Sequence, residues 1–92
     1  MRLIEAIGAL NSFDVEGTIY AAQPWTENAT AIVAIEPASG GLSSQAKELG
    51  LEYFLEVSIA REFIDGWKSS LRVEPTPQQQ CTRLIQYAVK DA

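Results

Sequence analysis

Apolar positions recur along the chain with two different periods, and the places where one period gives way to the other outline seven elements. Leu3, Ile4, Ile7 and Leu10 stand at i, i+1, i+4 and i+7, which lines one face of a short helix. Gly8 weakens that helix slightly, Asn11-Ser12 stops it, and Phe13 is expected to tuck under the turn that follows. Gly17 then leads into Thr18-Ile19-Tyr20-Ala21-Ala22, a β-rich run with Ile19 and Ala21 on one face and Tyr20 on the other. The run Thr30 to Ile35 is apolar on both faces, which predicts a strand covered on both sides or central in a small sheet. Glu36-Pro37 ends it, because proline lacks the ladder donor. The connection Gln23 to Ala29 is short, so antiparallel pairing of these two strands is the simplest arrangement.

Farther along, Ser39-Gly40-Gly41 reads as a flexible turn, Ser43 or Ser44 as the cap of a short helix, and Gly50 as its left-handed stop. The segment Glu52 to Val57 alternates as a third strand, with Tyr53, Leu55 and Val57 pointing one way and Phe54 the other. Joined to the second strand by a helix, it is expected to lie parallel to it through a right-handed crossover. Ser58 stands where it would cap the next helix, in which Ile59, Ala60, Phe63, Ile64, Trp67 and Leu71 recur at helical spacing. On its polar face, Arg61 and Asp65 are four apart and placed to pair. Thr76-Pro77-Gln78-Gln79 combines a cap, a first-turn proline and a reciprocal Gln, and Cys81, Leu84, Ile85, Ala88 and Val89 form the apolar stripe of a last helix. The order α-β-β-α-β-α-α predicts an α+β fold: a small three-stranded mixed sheet packed with about four helices, in a single globular domain spanning residues 1–92.

Composition narrows the chemistry. There is no histidine, hence no imidazole to act as a general base near neutral pH, as a metal ligand or as the middle member of a triad. The single Cys81 falls within an apolar helical stripe and reads as a buried, inert thiol. The absence of a disulfide framework in so small a chain fits a reducing compartment, and no signal-like or membrane-spanning apolar run is visible, so a cytoplasmic location is expected. Gly40-Gly41 lacks the Lys and hydroxyl of a phosphate-binding loop, and Asp14 and Glu16 lack a calcium-loop spacing, so no cofactor or metal is expected.

Charge is placed unevenly. From Leu3 to Ala46 there is no Lys or Arg, while Glu5, Asp14, Glu16, Glu27 and Glu36 supply five of the carboxylates behind the net charge of -5. Such a front half repels nucleic-acid phosphates and attracts a basic partner. Trp25 sits in a proline-containing loop with no helical stripe to join. Exposed together with Tyr20, and flanked by Glu27 and Glu36, it would make an aromatic and acidic protein-binding surface. Folded back, it would instead close the sheet edge. Trp67, in register with Phe63, reads as core. The leading expectation is therefore a noncatalytic protein-binding module. A homodimer that covers surplus apolar surface with a second copy is the alternative, and a small carboxylate enzyme using Glu36 and Glu56 at the ends of adjacent strands is the remaining one.

The run Gly50-Leu51-Glu52-Tyr53-Phe54-Leu55-Glu56-Val57, the helix from Ile59 to Leu71 and Thr76-Pro77 opening a last helix that contains Tyr87 resemble, over roughly residues 42–92, small uncharacterised bacterial proteins of immunity-protein type. Such proteins often travel on mobile elements such as integron gene cassettes. The resemblance implies a protein-binding or self-associating module and brings no catalytic residues with it.

Overall fold

A central strand whose five residues are all buried organises the molecule, in a computed structural model that describes residues 1–35 and 44–91. The elements are α1 (Leu3–Gly8), a single 3-10 turn (Leu10–Ser12), β1 (Gly17–Ala21), β2 (Ala31–Ile35), α2 (Ser44–Leu49), β3 (Glu52–Glu56), α3 (Val57–Ser69) and α4 (Pro77–Asp91). The class is α+β, with three strands, four helices and the expected order.

The sheet order is β2-β1-β3, and both outer strands run antiparallel to β1. The sheet is therefore purely antiparallel rather than mixed. β3 does run in the same direction as β2, as the helical connection suggested, but β1 lies between them. The doubly apolar β2 is also an edge strand, not the central one, and its last residue, Ile35, is 57% exposed. Its outer side is met at the start by the N-terminus: Met1 and Ala31 exchange both backbone bonds, and Leu3 N–H donates to the Ala29 carbonyl. That pairing satisfies groups that an edge would otherwise present to other chains.

Alternation along β1 sends Ile19 and Ala21 to one face and Tyr20 to the other. The first face meets α1, α3 and α4 in the main core, where Leu3, Ile7, Phe54, Leu55, Val57, Ile64, Cys81 and Leu84 are buried. The second face is smaller: Tyr20 packs with Ala46 of α2 and with Leu51, beside Ile32 and Ala34. A side chain at Gly17, where the strand begins, would be crowded. The Gly17 N–H donates to the Asp14 carbonyl at 2.9 Å, and a Cβ there would stand 3.1 Å from that oxygen and from Val33 Cγ1.

β3 departs from simple alternation. Ile19 pairs with Leu55 while Tyr20 pairs with Tyr53, so Phe54 is an extra residue bulged out of the ladder. A bulge lets two successive side chains turn to one side, and both Phe54 and Leu55 enter the main core while Tyr53 is exposed. Gly50, at φ 69°, supplies the left-handed stop of α2.

Helix ends follow the sequence at some places and not at others. Thr76 caps α4: its Oγ1 accepts the Gln79 N–H at 3.1 Å, while Gln79 Oε1 accepts the Thr76 N–H at 2.8 Å. α3 begins one residue before Ser58, with Glu56 in the cap position and no side-chain cap bond, because the strand runs straight into the helix. Arg61 and Asp65 form no ion pair; Lys68 of α3 instead reaches Glu74 at 3.1 Å, beyond the helix end. At α1, Glu5 Oε1 accepts the Arg2 N–H at 2.7 Å, which holds the Glu5 carboxyl below its usual range, assisted by the Arg2 guanidinium.

Two substitutions test this framework. Thr76→Ala removes one half of the α4 cap and is expected to lower unfolding free energy by about 1 kcal/mol in a denaturant titration, with an unchanged m-value. Phe54→Ala empties the bulge position and is expected to cost about 3–5 kcal/mol. A loss well under 1 kcal/mol for Phe54→Ala would show that the bulged ring does not carry the core as described.

Candidate functional site

The loop between β1 and β2 is held at several points. Ala22 N–H donates to the Thr30 carbonyl at 2.9 Å and Ala29 N–H to that of Thr26 at 3.1 Å. From outside the loop, Ile4 N–H bonds the Glu27 carbonyl at 3.0 Å and Arg2 Nη1 bonds Asn28 Oδ1 at 3.0 Å. Within this frame the Gln23–Pro24 peptide is cis and Trp25 follows it.

Trp25 is half-buried. Its Nε1–H donates to the Ala21 carbonyl at 3.3 Å, and its ring meets Phe54 in an edge-on arrangement, centroids 4.9 Å apart at 83°. The indole thus does turn back onto the end of the sheet. It also lines, with Gln23, Pro24 and Val89, an open hollow of about 420 Å³. Val89, in the last turns of α4, is 61% exposed. The result is an apolar shelf made by a fixed indole, an exposed proline and an exposed valine, of the kind that serves as an anchor point at protein interfaces.

The other residues expected at this surface fare differently. Tyr20 is only 1% exposed and faces the α2 side of the sheet, opposite the side on which Trp25 packs, so it is a core residue and not part of any surface. The alternation of β1 forces this: the side chain next to Ala21 must leave by the other face. Glu27 is half-exposed in the same loop as Trp25, and Glu36 lies outside the described residues. Glu52, which pairs with Ala21 across the sheet and is exposed, adds a carboxylate on the strand beside the Trp25 anchor. Sequence pattern missed Glu52, since only the register of the bulged strand sets it opposite Ala21. Val89 belongs to the apolar stripe of α4, yet it falls at the margin of that stripe in the final turn and stays exposed.

The carboxylate pair Glu36 and Glu56 loses its premise of adjacent strands. β1 lies between β2 and β3, so the strands are not neighbours, and Glu36 lies outside the described residues. Glu56 itself is half-buried at the junction of β3 and α3. Trp67, expected in the core from its register with Phe63, is only half-buried against it and also lines a groove considered below. Among the described residues no three of Cys, Asp and Glu converge to hold a metal ion, and no helix is long and apolar enough to cross a membrane.

Cys81 is fully buried on α4, and desolvation, reinforced by the negative charge of Glu27, pushes its thiol up to about 11 from 9.0. The thiolate is the reactive form, so this sulfur is no nucleophile near neutral pH. Because the folded chain holds the thiol proton more tightly than the unfolded chain, stability from this group is intact below pH 9 and falls as pH rises from about 9 toward 11. The difference in unfolding free energy between Cys81→Ala and the parent chain is expected to shift in favour of Cys81→Ala across that window, and native Cys81 is expected to resist alkylation until denaturant is added. Rapid native labelling at pH 8 would contradict the burial argument.

No protein-family model, curated protein or solved structure matches the chain.

Proposed function

We propose that the chain is a noncatalytic binding module that engages a basic protein partner through the shelf of Pro24, Trp25 and Val89, with Glu27 and Glu52 as its acidic flank. One observation carries this reading: Trp25 is fixed by a hydrogen bond and an edge-on aromatic contact and still opens onto a hollow beside the exposed Val89. An aromatic anchor that is already immobile loses little side-chain entropy on binding, so its apolar contact contributes to affinity almost undiminished. The net charge of -5 and the lack of Lys or Arg from Leu3 to Ala46 favour a cationic partner and speed its approach. A module of immunity-protein type, working in a reducing compartment such as the cytoplasm where a lone buried thiol is stable, is consistent with these features. Enzymatic chemistry has less support, since the strands on which its carboxylate pair was premised are not neighbours in the sheet.

The test is affinity capture from the source cells, followed by titration of the purified partner. Trp25→Ala and Glu27→Lys are each expected to weaken binding about tenfold or more, and raised salt to weaken it further. Val89→Asp changes an exposed side chain, so it reports on the shelf even if Trp25→Ala loosens the fold. Parent-like affinity in all three variants would sink the reading. A monomer–dimer equilibrium abolished by Val89→Asp would assign the shelf to a second copy of the chain instead.

A further inference from the structure

A second and larger concavity lies between the end of α3 and the first turns of α4. It has a volume of about 610 Å³, within the ordinary range of ligand sites. Its apolar side is Trp67, Leu71, Val73 and Pro75, and Val73 is 78% exposed. Its polar side comes from α4 and carries Gln and Thr side chains around Arg83, the sole ionisable residue lining it.

Arg83 is held in an uncommon way for a cation. Its guanidinium carbon lies 5.2 Å from the centroid of the Phe63 ring, and Phe63 in turn stacks on Tyr87 at 4.3 Å and 21°. Attraction to the ring face orients the guanidinium without using its N–H donors. Among the described residues no carboxylate pairs with it. The nearest acid in sequence to the apolar side, Glu74, is engaged with Lys68. The positive end of the α4 dipole also lies at this groove, since Thr76, Gln78 and Gln79 line it. Apolar wall, oriented cation and absence of any lining acid describe one kind of complement.

We propose that this groove docks an acidic-apolar peptide segment of a protein partner, with a bulky apolar side chain against Trp67, Leu71 and Val73 and a neighbouring carboxylate on the Arg83 guanidinium. The charge preference is opposite to that of the Trp25 shelf, so the chain has two faces that select different partners, and neither face depends on the other being occupied.

The experiment is an amide chemical-shift titration of the full chain with end-capped octapeptides carrying one Phe or Leu next to a Glu, alongside matched peptides with Gln in place of that Glu. Saturable shifts confined to residues 67–86 are expected. Binding is expected to weaken about tenfold with Arg83→Gln, and similarly for the Gln peptides. Trp25→Phe is expected to leave it unchanged. Absence of saturable shifts at millimolar peptide, equal affinity for Glu and Gln peptides, or shifts centred on Trp25 would each overturn the proposal. Self-association of the free protein that Arg83→Gln abolishes would overturn it as well, in favour of a second copy, whose exposed Asp14-Val15-Glu16 turn has the same chemistry.

Discussion

A strand buried on both of its faces, with a hydrogen-bonded neighbour on each edge, has no contact with solvent to absorb an error in packing. Gly17 to Ala21 is such a strand, with a glycine where a Cβ would crowd a carbonyl oxygen and Val33, and an alanine at the far end. Every other element is placed by what β1 needs. Its Ile19 and Ala21 require a helical layer, and α1, α3 and α4 supply it; its Tyr20 requires a second cover, and α2 with Leu51 takes part in that. In so short a chain the interior is small, and β1 is the strand that both of its buried clusters share.

The same constraint explains why Trp25 is held where it is. The β1–β2 connection leaves the sheet at Ala21, and the backbone carbonyl of that residue accepts the indole N–H. Phe54 can meet the ring because the bulge in β3 turns it toward the main core instead of away. A side chain pinned by the end of the central strand is thereby also part of the surface. The two concavities differ in the charge beside them, Glu27 and Glu52 at the first and Arg83 at the second. The stretch from Leu3 to Ala46 has five carboxylates and no Lys or Arg, while Arg61, Lys68, Arg72, Arg83 and Lys90 all lie in the second half, among seven further carboxylates.

Much of the local structure is readable from the residues themselves. The α4 cap is written in Thr76-Pro77-Gln78-Gln79, the α2 stop in Gly50, and the existence of all seven regular elements in the two hydrophobic periods. These features depend on interactions within a few residues, so neighbouring side chains suffice to specify them. Where reading fails, a distant partner is involved. Ser58 is a good cap residue, yet α3 starts earlier because β3 delivers the chain already extended into its first turn. The doubly apolar β2 reads as central, yet it lies at the edge, half-buried against both clusters, with its outer side met by the N-terminus.

The candidate site divides along the same line. Trp25 stands out in the sequence because an indole in a proline-containing loop belongs to no stripe, and Glu27 comes with it as a near neighbour. Tyr20 was drawn to that surface by proximity in the chain alone, whereas the pleat sends it through the sheet to the other side. Val89, Glu52 and the groove around Arg83 exist only once helices and strands far apart in sequence have packed. Local spacing determined which elements form, where most of them stop, and which chemistries are excluded by the absence of histidine. Tertiary structure decided which strand is central, which aromatic ring is buried and which charged side chain is left without a partner, because those outcomes depend on contacts between residues that no fixed spacing relates.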